Sequence, residues 1–295
     1  MKRLETFNEY TNIIKEFKAV CRKPFSNIYY MSSDIKGYIE SGRLFYEKEE
    51  SGIIFFLDEN AYYRAWLFVN ENGEFTISPQ DKKILIRNIY KCGEKEKGLQ
   101  IVERRLEESG FRKAGTTIGI QGEPVKLFQR CEKIKKYAEA VEKKGFRCME
   151  ADFSMFGEIE KIILDSGIIK DYQLDYRTDE EKKRLEKGSY LYMTDGDGQI
   201  CAASICVVED GIAKGAALAV KEEYKRQGIA PCLTYHRFKW MRDKEVRFVQ
   251  GWILTSNIPS LKYHQSLGYE FMDKYTDEWI LDLAESAMDK TGDGL

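Results

Sequence analysis

Residues 212–233 read I-A-K-G-A-A-L-A-V-K-E-E-Y-K-R-Q-G-I-A-P-C-L. Ala213, Gly215, Ala217 and Ala219 alternate with Ile212, Ala216, Leu218 and Val220, and Lys214 interrupts the second set. A period of two is that of a strand, so a strand is expected with one small face that another group can approach closely. Lys225, Arg226, Gln227 and Gly228 then form a short basic loop. Pro231 stands where a first helical residue would, its missing N–H being one that a helix leaves unpaired in any case.

The first N–H groups of a helix have no acceptor within it, and the aligned peptide dipoles add partial positive charge at that end. Gly228 lets the backbone come close to a phosphate, and Arg226 adds a full charge. The strand, loop and helix start therefore read as an anion cradle. Taken alone, the same loop also describes a solvated turn ahead of a helix.

The run Val220–Ala230, V-K-E-E-Y-K-R-Q-G-I-A, resembles the cofactor-binding motif of the GNAT superfamily, the acyl-CoA-dependent N-acyltransferases. That motif reads Gln/Arg-x-x-Gly-x-Gly/Ala after a strand. Gly228-Ile229-Ala230 match it, and Lys225 replaces the first Gln or Arg with another cation. A second part follows in order: a strand over 248–254, Asn257, a helix begun at Pro259, and Leu267-Gly268-Tyr269. The resemblance spans residues 145–283. It implies an α+β (mixed α/β) architecture, the GNAT fold, with a central, mostly antiparallel twisted sheet flanked by helices. It also implies that Lys225, Arg226, Gln227, Gly228, Ile229 and Ala230 hold the pyrophosphate of acetyl-CoA. Main-chain groups of Leu218, Ala219 and Val220 would bind pantetheine and thioester, and Asn257 the pantetheine arm. Asn257 is equally suited to cap the helix after it.

The 295 residues suggest two domains, and 43% hydrophobic content suffices for a sizeable core. A net charge of −2 gives no basic excess for nucleic acid or an anionic membrane. The N-terminal M-K-R-L-E-T-F-N-E-Y has no signal-peptide core. No segment approaches the ~20 apolar residues of a membrane span. Seven scattered cysteines without C-x-x-C, and two histidines, argue for reduced thiols and against a zinc or His-rich metal site. A cytoplasmic protein with no metal is expected.

Along the chain, helical spacing covers 1–20, with Phe7, Ile13 or Ile14, Phe17 and Val20 on one face. Strands are expected at 44–47, 53–57, 62–69, 83–90 and 116–120, with Asn72-Gly73 as a hairpin signal. A charged helix over 94–109 ends at Gly110. A helix over 125–144, begun at Pro124, would link the halves. The second half alternates strand (147–150), helix (154–164), strands (189–194, 199–209, 211–220), helix (231–243), strand (247–254), helix (259–267) and strand (278–283), with turns at Asp195–Gly198 and Asp210-Gly211. The expected domains are 1–123, a linker helix 124–144, a catalytic domain 145–283 and a flexible tail 284–295. E-E-S-G-F at 107–111 and Q-S-L-G-Y at 265–269 hint at duplication. A tandem-GNAT chain has this layout; its first half here would be a degenerate GNAT-like domain lacking the phosphate loop.

Acyl transfer to an amine also needs proton handling. In many relatives a tyrosine of the last helix protonates the departing thiolate. His264 occupies that position here and is favoured as the donor, with Tyr263, one residue earlier, or water as the other candidates. One residue rotates a side chain by about 100° on a helix, so the two do not point to one spot. His236 falls with Ile229, Leu233 and Trp240 on one helical face and reads as a half-buried core residue. No general base is evident in strand 212–220. Residues 165–188 and the first domain would shape the pocket for a small amine or peptide acceptor. The expected activity is acetyl transfer from acetyl-CoA to a primary amine in a ternary complex. The alternatives are a GNAT-fold module that binds acyl-CoA or a protein without catalysis, and, against the charge balance, transfer from aminoacyl-tRNA.

Overall fold

Short apolar runs bounded by turn residues set the alternation of strands and helices. A computed structural model describes all residues except 22–23, 60–61, 71–74, 78–79, 92, 94–96, 168–185, 187 and 283–295. In chain order the elements are β1 (Lys2–Arg3), α1 (Phe7–Val20), β2 (Phe25–Ser26), α2 (Ser32–Glu40), β3 (Leu44–Lys48), β4 (Gly52–Asp58), β5 (Tyr62–Val69), β6 (Lys83–Tyr90), α3 (Lys97–Glu108) and β7 (Arg112–Gly122). There follow α4 (Pro124–Arg130), α5 (Glu132–Lys143), β8 (Arg147–Glu150), α6 (Phe156–Asp165), β9 (Gly188–Thr194), β10 (Ile200–Glu209), β11 (Ile212–Val220), α7 (Ile229–Asp243), β12 (Phe248–Leu254), α8 (Ile258–Leu267) and β13 (Glu270–Leu281). The architecture is mixed α/β, mostly antiparallel. Among the described residues no helix is long and apolar enough to cross a membrane.

The chain forms two compact units, Met1–Thr117 with Asp273–Leu295, and Ile118–Met272. The division falls inside β7 and β13, so each strand contributes to both units. In the first unit β3, β4 and β5 are antiparallel, β5 and β6 run parallel, and β6 pairs with Tyr275–Leu281 of β13. One face carries Tyr10, Ile13, Phe17, Ile35 and Trp66, the other Ile84, Ile86, Val102, Leu106 and Trp279. Helix α1 is capped by Thr6, which accepts from the Glu9 N–H. Val20, expected on its buried face, is 80% exposed, and Tyr10 takes the core position instead. Sequence periodicity did not reveal α2, which has Gly37 in its interior and buries only Ile35 and Ile39.

The second unit repeats this order: β8, β9, β10 and β11 are antiparallel neighbours and β11 and β12 run parallel. Asp210 (φ 51°) and Gly211 (φ 75°) join β10 to β11 with the left-handed pair that a two-residue I′ turn requires. Residues 124–144, expected as one linker helix, hold two helices, Pro124–Arg130 and Glu132–Lys143, broken at Cys131 and both within the second unit. Helices α5 and α7 pack through Ala138, Val141, Ile229, Cys232 and Leu233. Burying each larger side chain there stabilises by about 1.5–3 kcal/mol. The duplication hint is also visible in the helix ends. Phe111 donates to Leu106 O and Gly110 to Glu107 O, just as Tyr269 donates to His264 O and Gly268 to Gln265 O. Gly110 (φ 87°) and Gly268 (φ 91°) make both turns.

Candidate active site

Parallel pairing of β11 with β12 is brief: Ile212 with Phe248, Ala213 with Val249 and Lys214 with Gln250. Among the described residues the two strands show no further pairing with each other, Ala217–Val220 included. Strand β11 itself carries a bulge. Ile205 of β10 opposes Ala217, but Val207 opposes Lys214, so β11 holds one extra residue at 215–216. Such an insertion moves later side chains to the other face. Ala213 packs with Phe238 and Val249, whereas Ala217 and Ala219 pack with Phe156 and Ile159 on the opposite side. The single small face expected from the alternation is therefore two half-faces, one on each side of the sheet.

The bulge also sets where the backbone points. Lys221 N–H donates to Cys201 O. Alternation in an antiparallel ladder then gives the groups of Ala217 and Ala219 to β10. The N–H and C=O of Leu218 and Val220 point the other way, into the wedge where β12 no longer pairs. An extended, amide-bearing ligand can hydrogen-bond such groups as an added strand would.

The basic loop follows at the end of β11. Arg226 (φ 63°) and Gly228 (φ 83°) both take left-handed backbone. Helix α7 begins at Ile229, two residues before Pro231, the residue expected to open it. Gly228 is its N-cap without a side-chain hydrogen bond, and the first turn contains no acid. The N–H groups of Ile229 and Ala230 thus stand at a helix start that no side chain caps, which suits an anion. A Cβ at Gly228 would stand 3.3 Å from Val141 and 3.4 Å from Tyr137. The glycine is therefore required by its backbone angle and by α5 packed behind it, and not only by the room a phosphate needs. Lys225 Nζ lies 2.5 Å from Glu222, and Gln227 donates to Glu223 O. Arg226 is exposed.

A tether that the sequence did not reveal fixes this loop. Tyr224 O–H donates to Asp195 Oδ2 at 2.5 Å, and the same carboxylate accepts the N–H groups of Asp197 and Gln199 in the β9–β10 turn. The Tyr224 bond holds the Asp195 carboxyl below its usual range and pushes the phenol up to about 12. The D-G-D-G turn thus pins the loop as well as closing a hairpin.

Helix α8 carries the remaining sequence candidates. Asn257 Oδ1 accepts the Ser260 N–H at 3.1 Å, so the residue, itself exposed, caps α8. Tyr263 O–H donates to Thr234 Oγ1 at 3.0 Å across to α7, and burial raises its pKa. His264 Nδ1 lies 2.8 Å from Ser260 O, which places the proton on Nδ1 and the lone pair on Nε2. Burial lowers the pKa of this ring, and the nearby Arg237 charge lowers it further. His236 is half-buried, with Nε2 2.8 Å from Glu142 Oε1. Of the expected acceptor segment 165–188, residues 168–185 and 187 lie outside the described residues, as do the Asn72-Gly73 turn and the tail 284–295.

The first unit repeats the parallel pair but fills the wedge. β5 and β6 pair from Tyr62 with Lys83 to Ala65 with Ile86. Beyond that, Asn27 accepts from Leu67 N–H at 2.7 Å and donates to Arg87 O and Asn88 Oδ1 at 3.1 Å. Strand β2 then pairs with Phe68 and Val69. A side chain of the protein takes the backbone groups that in the second unit face the open wedge.

Residues 157–269 match the acetyltransferase (GNAT) family. No curated protein sequence matches the chain. Among solved structures it is similar to a tandem GNAT protein from the clavulanic acid biosynthesis pathway, with 12% identity, TM-score 0.55 and coverage of 95% of this chain and 97% of that one. It is also similar to a GCN5-related N-acetyltransferase-like protein from Streptococcus suis 89/1591, with 12% identity, TM-score 0.53 and coverage of 90% and 99%. A GCN5-related N-acetyltransferase from Kribbella flavida gives 15% identity, TM-score 0.52 and coverage of 88% and 96%. At these identities the likeness is one of fold.

Proposed function

Because this chain carries a domain of the acetyltransferase (GNAT) family and so belongs to that superfamily, we propose that it transfers an acetyl group from acetyl-CoA to a primary amine while both are bound. The observation that carries this reading is the wedge between β11 and β12 next to an uncapped helix start. The wedge offers the main chain of Leu218 and Val220 to an amide-bearing arm, with Ala219 between them. The loop offers the N–H groups of Gly228, Ile229 and Ala230, with Arg226 as the exposed cation, to a pyrophosphate. Lys225 and Gln227 contribute through the shape they give the loop, since their side chains engage Glu222 and Glu223. Asn257, exposed at the start of α8, would meet the pantetheine arm.

Acetyl-CoA supplies an activated thioester. The amine nitrogen bonds to its carbonyl carbon, the carbon–sulfur bond breaks, one proton leaves the nitrogen and one joins the thiolate. Tyr263, which burial keeps protonated, would turn its O–H from Thr234 Oγ1 to the thiolate to give its proton. His264, held neutral with its lone pair on Nε2, can accept one. Six free cysteines among the described residues suit a reducing compartment, in keeping with a cytoplasmic enzyme acting on a small amine or a peptide.

The bonds from Tyr263 to Thr234 and from His264 to Ser260 favour one second reading, a module that binds acyl-CoA without catalysis. Two measurements separate them. Acetyl-CoA at 100 times its dissociation constant should stabilise the protein by ~2.7 kcal/mol. Thiol release with a panel of amines should exceed background and fall in Tyr263→Phe. Stabilisation without thiol release supports the module, and neither response overturns both readings.

A further inference from the structure

Glu142, Cys232 and His236 meet between two helices, although Glu142 lies 90 residues before Cys232 in the chain. Cys232 and His236 are one turn apart on the same face of α7, and Glu142 closes the opposite side from the end of α5. One ligand atom from each lies within 4.8 Å of the other two. His236 Nε2 and Glu142 Oε1 are 2.8 Å apart. Cys232 is fully buried, while His236 and Glu142 keep 22% and 41% of their side chains open to solvent. The cluster is therefore sealed on the thiol side and reachable on the other.

We propose that Glu142, Cys232 and His236 form a zinc site with an open fourth position, which clamps α5 to α7 one turn below the phosphate loop. Thiolate, imidazole and carboxylate are the ligand types zinc takes, and tetrahedral bonds of about 2.0–2.3 Å set ligand atoms about 3.3–3.8 Å apart. The trio lies within a side-chain adjustment of that spacing. Binding replaces the Cys232 thiol proton, and any proton shared by His236 Nε2 and Glu142, with the metal; both protons leave to solvent. Cys148 packs against the same core cluster as Cys232.

The position gives the site a consequence. Cys232 N–H donates to Gly228 O, so Cys232 is bonded to the N-cap of α7. Glu142 follows Val141, which packs against Gly228. A metal at this point fixes both sides of the glycine on which the phosphate loop turns. The inference stands on the trio alone and does not require acyl transfer.

The test uses the full chain, stripped with a chelator and titrated with Co²⁺ and Zn²⁺. One Co²⁺ per chain should bind with a thiolate-to-cobalt charge-transfer band. Zn²⁺ should displace it, and at 100 times its dissociation constant raise Tm by roughly 5–10 °C. Cys232→Ser should abolish the band, and His236→Gln and Glu142→Gln should weaken binding at least tenfold. All three variants should keep the metal-free wild-type Tm within a few degrees, which shows that they fold. Absence of stoichiometric binding, or binding as tight in the variants as in wild type, overturns the proposal. An acetyl-CoA-induced Tm shift measured on the stripped protein reports the cradle separately, so the two readings fail independently.

Discussion

His264 shows how one side chain can tie stability to pH. Its folded pKa lies below the ordinary 6.5 because burial opposes the charged ring. The unfolded chain therefore binds more protons at mildly acidic pH. The contribution of this half-buried ring is complete above about pH 6.5 and is lost as pH falls below it. Urea unfolding at a series of pH values should show a midpoint that drops below pH 6.5, and His264→Gln should flatten that slope; an unchanged slope would assign the loss to other groups. Arg226 presents a different conflict. A non-glycine residue at φ 63° carries about 1–2 kcal/mol of backbone strain. Arg226→Gly should leave the protein as stable or more so while raising the acetyl-CoA dissociation constant at least tenfold. Equal losses in both would mean that the arginine holds the loop and does not hold the ligand.

At the scale of the element, the wedge is the feature that matters, and the two units treat it differently. In the first, Asn27 bridges the diverging β5 and β6. Asn27→Ala would leave the Leu67 N–H buried without that acceptor and should lower stability by ~1–3 kcal/mol in denaturant titration. A loss under ~0.5 kcal/mol would show that water takes its place. The elements themselves were largely legible, because their signals are local: Asp210-Gly211, the helix-ending Gly110 and Gly268, and the apolar runs of β5 and β6. The fold class and the loop 225–230 followed from motif order. The bulge at 215–216 was not legible, since it exists only against the register of β10. The inward bonds of Tyr263 and the meeting of Glu142 with Cys232 and His236 depend on how helices pack. The Asp195–Tyr224 tether joins residues 29 apart. No periodicity within a single element reports these contacts.

For the whole molecule, chain order and folding unit do not coincide. Residues from Asp273 onward belong with Met1–Thr117, although the second unit lies between them. Trp279, Ile280 and Leu281 are buried against the first unit's strand β6 and its core. A fragment over 145–283, cut where the sequence suggests a catalytic domain, would carry these three apolar residues on a strand without its β6 partner. It should elute as aggregates in light-scattering chromatography, whereas the full chain should not. A monodisperse fragment would show that the strand can be accommodated without β6. The same pairing has a temporal side. On the ribosome, β6 emerges long before Tyr275–Leu281, and at ~5–20 residues per second it waits roughly 10–40 s for that partner. The second unit can close during this interval. The half translated first is then the half completed last, with the edge of β6 exposed to other nascent chains and to chaperones until β13 emerges.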